Sequence, residues 1–267
     1  MSEPWTAARV HDAAGAAIWV PPDAPQVVTD DYLLVDFPPG YDDEQPTQVQ
    51  WTRSDRPAAD LVDEVVAQAR AWGRSRLAWW IRLDHRPSDL ADLLLDRGAT
   101  TVETVGVLAR EISTSLPDAP SGHDADLRVE AVRDEQGLAD ARLVYAEVWG
   151  RSPDPAPEQQ ERDLAEAATP VGERPMFQVV AYLDGEPAAA GGCTRSVDVA
   201  RLWGAATRPH LRGRGAYRAT VRARLELARE HGATLGLVRG RLETSAPVLT
   251  RLGFASYGEE PLLVLEI

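Results

Sequence analysis

The segment from residue 199 to residue 228 constrains the fold more than any other part of the sequence. An apolar stretch, Val199–Thr207, is typical of a buried strand and leads through Pro209 into Arg212-Gly213-Arg214-Gly215. Apolar residues then recur at helical spacing, at Tyr217, Val221, Leu225 and Ala228. Glycines before a helix let several backbone N–H groups point at one spot, where the helix N-terminus adds partial positive charge. The segment therefore predicts a strand, a phosphate-binding loop and a helix in succession.

The same stretch is strongly basic in an acidic protein. Residues 208–224 contain six arginines and no acidic residue, whereas the chain of 267 residues has a formal net charge of −14. A polyanionic ligand is attracted to such a stretch and repelled by most of the remaining surface. Nucleic acid is not expected as a partner, because binding its backbone needs a broad basic face and, for single strands, interleaved exposed aromatic residues.

Two common phosphate-binding motifs do not fit the loop. All 28 basic residues are arginine, so the lysine that follows the glycines of a nucleoside-triphosphate loop is absent. The dinucleotide fingerprint requires a third glycine, and Arg218 occupies that position.

The loop resembles the pyrophosphate loop of the GNAT N-acetyltransferases, whose motif is Arg/Gln-x-x-Gly-x-Gly/Ala after a strand and a proline-containing turn. Arg212, Gly215 and the preceding Pro209 match that motif, whereas Tyr217 stands where the family usually has Gly or Ala. A second family signature, a closing helix that ends in Gly-Phe, is matched by SAPVLTRLGF at residues 245–254. The two motifs in register indicate a GNAT domain.

The resemblance implies the fold class. The element order predicted for residues 127–267 is that of the GNAT fold, an α/β (α+β) architecture with a mixed, mostly antiparallel twisted sheet flanked by helices. The N-terminal part repeats the second half of this succession, and Arg97-Gly98-Ala99 aligns with Leu252-Gly253-Phe254. Its glycine loop is replaced by Arg53-Ser54-Asp55-Arg56-Pro57, so we expect this repeat to bind no coenzyme.

These patterns predict three segments. Residues 1–115 form a degenerate GNAT-like domain, residues 116–126 a linker rich in Ser, Pro, Asp and Gly, and residues 127–267 a domain that binds acetyl-CoA.

The resemblance also implies which residues hold acetyl-CoA, the acyl donor. They lie at the end of the strand and in the loop: Ala205, Ala206, Thr207, Arg212, Gly213, Arg214, Gly215, Ala216 and Tyr217. In the family an amine attacks the thioester directly, and a backbone N–H, here one of residues 204–207, stabilises the oxyanion. The first helix lines the acceptor cleft, which makes Tyr145, Glu147 and Trp149 the candidates for acceptor binding; packing or a solvated surface is the alternative for each.

The general acid and base are marked less clearly. The family usually has a Tyr four residues before the Gly of Gly-Phe, but Leu249 occupies this position and has no proton to donate. Tyr217 is one candidate for the acid, with core packing as the alternative. Glu243 is one candidate for the base, with a solvated surface role as the alternative. His210 is interpreted as a surface residue or a minor phosphate contact.

The sequence thus predicts an acetyl-CoA-dependent N-acetyltransferase that acts on a primary amine of a small molecule or peptide. The alternative is a non-enzymatic acyl-CoA-binding regulatory or partner module. One cysteine excludes a disulfide framework, and no His, Asp and Glu spacing is typical of a metal site. Without a long apolar segment or a signal peptide, we expect no membrane partner and a cytoplasmic monomer or homodimer.

Overall fold

The computed structural model describes residues 4–16, 18–21, 24–39, 41, 44–112, 126–150 and 154–267. The predicted linker at 116–126 lies outside these residues except for Asp126. The chain divides into two compact units, each of which contains segments that are distant in sequence. The first unit comprises Met1–Val107, Gly240–Pro247 and Ser256–Ile267, and the second comprises Leu108–Arg239 and Val248–Ala255.

The elements up to residue 112 are α1 (Ala7–Gly15), β1 (Gln26–Val28), β2 (Tyr32–Asp36), β3 (Thr47–Thr52), α2 (Ala58–Ala71), β4 (Arg76–Trp80), α3 (Leu90–Asp96) and β5 (Thr100–Glu111). Those from residue 126 onward are β6 (Leu127–Ala131), α4 (Glu135–Trp149), α5 (Pro157–Ala168), β7 (Met176–Leu183), β8 (Glu186–Ser196), β9 (Val199–Thr207), a 3₁₀ turn (Pro209–Leu211), α6 (Ala216–Glu230), β10 (Leu235–Arg241), α7 (Ser245–Arg251) and β11 (Ala255–Glu266).

The first unit is built on a mixed sheet with the strand order β1-β2-β3-β4-β11. β3 and β4 are parallel, and the other neighbours are antiparallel. The apolar stripe of α2 packs on this sheet, because its residues recur at helical spacing and are fully buried: Leu61, Val62, Val65 and Ala69. Leu263 and Leu265 of β11 belong to the same core.

The compact units therefore differ from the predicted boundaries near residues 115 and 127. The C-terminal strand β11 groups with the first unit because it pairs with β4 from Leu262–Trp80 to Glu266–Arg76. β5 passes from the first unit into the second after Val107, and Ile112 at its end donates a backbone hydrogen bond to Thr234.

The second unit has the strand order β10-β9-β8-β7-β6, in which β9 and β10 are parallel and all other neighbours antiparallel. The apolar face of α4 packs against Val180, Ala190 and Ala206. The start of α6 packs against Ala181 and Ala189. Since successive strand residues point to opposite faces, α4 and α6 cover the two faces of this sheet.

One turn occurs in both units, as the aligned motifs predict. Gly98 follows α3 with φ +92°, and Gly253 follows α7 with φ +84°. The next residue in each case donates its N–H five residues back, Ala99 to Leu94 and Phe254 to Leu249. A left-handed residue after a helix is the usual position for glycine, so the same turn ends both helices.

In the first unit, hydrogen bonds join the chain after β3 to the chain after β4. The second unit has its glycine loop at the corresponding place in the succession of elements. Arg86 donates its N–H to the carbonyl of Thr52 at 3.1 Å, and Ser54 donates to the carbonyl of Arg86 at 3.2 Å. The side chain of Arg53 forms an ion pair with Asp84 at 2.7 Å. These bonds join the chain after β3 to the chain after β4. Across the described residues, no helix is long and apolar enough to cross a membrane.

A fragment that starts at Leu127 should be insoluble or fail to unfold cooperatively. The fragment removes β4, so the apolar residues 262–265 of β11 lose their paired neighbour and their core. Soluble yield and thermal unfolding followed by circular dichroism test this expectation. Substitution of Leu263 and Leu265 by Ser in the fragment should raise its soluble yield. A well-behaved unmodified fragment would contradict the assignment of β11.

Cys193 should be unreactive in the native protein. It lies on β8 with no exposed surface, and burial raises the pKa of its thiol to about 12. Because the thiolate is the reactive species, a disulfide reagent at pH 8 should label the protein only after denaturation. Labelling of the native protein at the rate of a small-molecule thiol would show that β8 is accessible.

Candidate functional site

β9 and β10 separate halfway along their length. They pair over four positions, from Val199–Leu235 to Leu202–Val238, although both strands continue beyond them. Within the described residues, the rest of β9 (Trp203–Thr207) pairs with β8 alone. We call the opening between these diverging ends the splay. It leaves main-chain N–H and C=O groups of β9 available to a ligand.

A bulge in β9 lies at the splay. Ala190 pairs with Ala206 and Gly192 with Trp203, so β9 carries one more residue than β8 between the two pairs. Gly204 has φ +59°, a left-handed conformation that favours glycine. A bulge of this kind bends the strand and removes main-chain groups from the ladder.

The glycine loop joins the end of β9 to α6. Gly213 and Gly215 have φ values of +78° and +95°, and Gly215 is the N-cap of α6. Gly215 has no side chain to cap the helix, so the N–H groups of the first turn can donate hydrogen bonds to a ligand. The Thr207 hydroxyl beside this loop is buried and has no hydrogen-bond partner in the described part of the chain. These groups fit an anionic ligand that also extends along β9.

The surface of this segment is less basic than its sequence indicates, because carboxylates from elsewhere in the second unit neutralise it. Arg208 donates hydrogen bonds to Glu147 and to Glu186. Arg214 forms an ion pair with Asp184 at 2.7 Å. The hydrogen bonds from Arg208 and Arg214 lower the pKa of Glu147 and of Asp184 respectively.

Arg212 stays at the loop. Its Nε donates to the carbonyl of Thr207 at 3.2 Å, and its side chain is exposed. Arg218 also lies beside the loop, with one terminal nitrogen 3.8 Å from the position that a Cβ on Gly215 would occupy. These two arginines provide the positive charge next to the uncapped helix start.

The structure brings two of the three predicted acceptor-site residues together at the bulge. The rings of Tyr145 and Trp149 stack with centroids 5.1 Å apart and planes at 8°. The Tyr145 hydroxyl donates to Oε1 of Gln178 at 3.1 Å. Cη2 of Trp149 lies 4.0 Å from the position that a Cβ on Gly204 would occupy. Trp149 is 38% exposed, so part of this aromatic pair is open to solvent.

Glu147 does not join this aromatic pair, and its place in the acceptor site stays a prediction. Positions 147 and 149 are two residues apart, about 200° around the helix. Glu147 therefore lies on another face of α4, where it binds Arg208 and lies 3.3 Å from Nδ1 of His210. His210 also lies 3.3 Å from Oε1 of Glu186, so it belongs to this carboxylate cluster.

The residues considered for acid–base chemistry lie in different surroundings. Leu249 has no exposed surface, so the position that carries the family's usual Tyr belongs to the core in this chain. Tyr217 is half-buried in the first turn of α6. Glu243 is exposed in the turn after β10 and belongs to the first unit. The roles of Tyr217 and Glu243 stay predictions.

Sequence reasoning missed two residues at the bulge. Trp203 is 37% exposed and its indole lies over Gly192, where an added Cβ would meet the ring at 2.3 Å. Arg224 is 1% exposed, although the sequence grouped it with the surface arginines. A signal existed, because Arg224 follows Tyr217 by seven residues and so falls on the apolar face of α6.

Comparison with known proteins supports this description. Residues 140–254 match the model of the acetyltransferase (GNAT) family. This segment belongs to that family. No curated protein matches the sequence.

Solved structures resemble most of the chain. A GCN5-related N-acetyltransferase from Kribbella flavida has 20% identity and a TM-score of 0.61 over 90% of this chain and 89% of its own. Another, from Sphaerobacter thermophilus, has 15% identity and a TM-score of 0.65 over 90% and 82%. A tandem GNAT protein from the clavulanic acid biosynthesis pathway has 17% identity and a TM-score of 0.60 over 96% and 87%. These likenesses confirm the predicted GNAT fold.

Leu249→Tyr should destabilise the second unit by about 1–3 kcal/mol, because the larger side chain overpacks a fully buried position. Urea unfolding of parent and variant measures the change. Thr250→Tyr is the matched control on the exposed side of α7, and its effect should stay within about 0.5 kcal/mol. An equally stable Leu249→Tyr variant would indicate that position 249 can reach a cavity.

Proposed function

We propose that the second unit is an acetyl-CoA-dependent N-acetyltransferase that acts on a primary amine of a small molecule or peptide. The observation that carries the proposal is the splay between β9 and β10, which opens directly beside an uncapped, glycine-bounded helix start. The membership of residues 140–254 in the GNAT family supports acyl transfer in general.

The two parts of the site fit the two ends of acetyl-CoA. The N–H groups at Gly213–Tyr217, with Arg212 and Arg218 beside them, would hold the pyrophosphate. Main-chain groups of Ala205, Ala206 and Thr207 would bond the amide-containing arm that runs into the splay. The thioester would then lie next to the bulge and below the ring of Trp149.

The chemistry of this arrangement is direct attack. A neutral amine attacks the thioester carbon, a C–N bond forms, and the carbonyl oxygen takes negative charge, which a main-chain N–H at residues 204–207 stabilises. The C–S bond then breaks, the sulfur leaves as thiolate, and the amide nitrogen loses its extra proton to water. With a thiol pKa of about 8.5, leaving as a thiolate at pH 7 costs about 2 kcal/mol, so a missing general acid is tolerable.

The burial of Leu249 also favours a second candidate function. A chain without the usual phenol at this position can bind acyl-CoA without turning it over, as a regulatory or partner module. Incubation of the protein with acetyl-CoA and a panel of amines, followed by mass spectrometry, separates the two. Acetylated amine indicates the enzyme; tight binding without product indicates the module. The cytoplasmic location and the monomeric or dimeric state stay predictions.

Acetyl-CoA should stabilise the protein, and Gly215→Asp should abolish the effect. At a ligand concentration a hundredfold above Kd, binding stabilises by about 2.7 kcal/mol. The substitution places a negative charge at the helix start and a side chain at φ +95°. Thermal-shift titrations with acetyl-CoA and CoA measure both expectations.

Gly232→Asp is the matched control. Gly232 has φ +96° and open space around an added Cβ, but it follows the opposite end of α6. It should share the strain and still bind acetyl-CoA. A flat titration with the parent protein would refute the proposed site, and full binding by Gly215→Asp would refute the placement of the pyrophosphate.

A further inference from the structure

Arg224 is a buried cation without a counterion. It is 1% exposed on the inner face of α6, and no carboxylate of the described residues lies within 4 Å of it. Its three hydrogen bonds all go to main-chain carbonyls. Nε donates to Thr220 at 3.0 Å, and Nη1 donates to Gly192 at 2.9 Å and to Trp203 at 3.2 Å. Burying a charge in this way is costly, so the bonds that it makes must matter to the fold or the site.

Two of these carbonyls belong to residues that pair with each other at the edge of the bulge. Gly192 pairs with Trp203, and β9 carries its extra residue immediately after that pair. A bulge displaces the N–H that would otherwise serve such carbonyls, and a buried carbonyl without a donor is destabilising. The Nη1 group of Arg224 serves both oxygens at once, so it bridges β8 and β9 where their ladder is interrupted.

Adjacent glycines on β8 make room for this bridge. A Cβ on Gly191 would lie 2.8 Å from Cζ and from Nη1 of Arg224. A Cβ on Gly192 would lie 2.3 Å from the indole of Trp203. Since neighbouring strand residues point to opposite faces, the guanidinium occupies one face of β8 and the indole the other. The bulge is therefore held from both sides.

The bridge determines the direction of one main-chain donor. The carbonyl of Trp203 is held toward the guanidinium of Arg224, because it shares Nη1 with the carbonyl of Gly192. In a trans peptide the C=O and the following N–H point in opposite directions. The N–H of Gly204 therefore points away from the guanidinium. Gly204 lies beyond the last pair between β9 and β10, so this donor borders the splay.

We infer that Arg224 is a positioning residue that aims the Gly204 N–H at the thioester carbonyl of acetyl-CoA. The inference rests on the proposed function and deepens it, because it selects Gly204 among the donors at residues 204–207. The guanidinium also polarises the Trp203–Gly204 peptide, since a carbonyl that accepts from a cation strengthens its own N–H as a donor.

The carbonyl of bound acetyl-CoA is the direct probe. Infrared difference spectra with [1-¹³C]acetyl-CoA should show the thioester C=O stretch of the parent complex at lower frequency than in free acetyl-CoA. In Arg224→Met the stretch should return toward the free value, and Arg224→Lys should not restore it because one ammonium cannot reproduce the fork. CoA, which lacks the thioester carbonyl, should bind to the parent and to the variants with the same affinity.

Gly191→Ala tests the same bridge with Arg224 intact, because the added Cβ must displace the guanidinium. It should shift the carbonyl stretch as Arg224→Met does. Arg229→Met, an exposed arginine in the last turn of α6, is the control and should leave the stretch unchanged. With an amine that turns over, Arg224→Met should lower kcat about 10²–10³-fold, the loss of one oxyanion donor, with little change in KM.

Each outcome decides the inference. A parent complex with the carbonyl stretch of free acetyl-CoA would overturn it without any variant, even if Arg224→Met failed to fold. An unchanged stretch in folded Arg224→Met or Gly191→Ala would also overturn it. Failure of the parent to bind acetyl-CoA and CoA would instead refute the proposed function, so the two failures are distinguishable.

Discussion

The interrupted pairing of β9 is the constraint on which the second unit depends. β9 is bonded to β10 only as far as Leu202, and its bulge at Gly204 disturbs the ladder to β8 as well. Main-chain groups that leave a ladder must find other partners. Arg224 supplies a donor to the carbonyls of Gly192 and Trp203, and the main-chain groups that border the splay are left to a ligand. The glycine loop and the aromatic pair of Tyr145 and Trp149 are both placed relative to this strand end.

The first unit has the same succession of strands and helices, but its buried arginine and its strand ends have different bonding partners. Its buried arginine, Arg82, has a carboxylate partner in Glu260 at 2.8 Å and donates to the carbonyl of Gln50 at 2.7 Å. Main-chain bonds between Thr52 and Arg86 join the strand ends. The buried Arg82 therefore has a counterion, whereas Arg224 has none among the described residues.

Charge near the glycine loop is concentrated rather than spread. Glu147, Glu186 and Asp184 neutralise Arg208 and Arg214, which leaves Arg212 and Arg218 beside the helix start. The positive charge at the surface of residues 208–224 is therefore smaller than their six arginines indicate. The acidic composition of the chain is therefore compatible with a loop that suits a phosphate group.

Local patterns in the sequence determined much of the fold. Strand Val199–Thr207 has the predicted bounds, since apolar periodicity and flanking turn residues act within a few positions. The same holds for the glycines at 98 and 253. What only the tertiary structure decided depends on residues far apart in sequence: the burial of Leu249, the pairing of β11 with β4, and the acids that meet each arginine. Arg224 looked like a surface charge because the carbonyls that hold it belong to a bulge formed only when β8 and β9 pair, and no local pattern records such a contact.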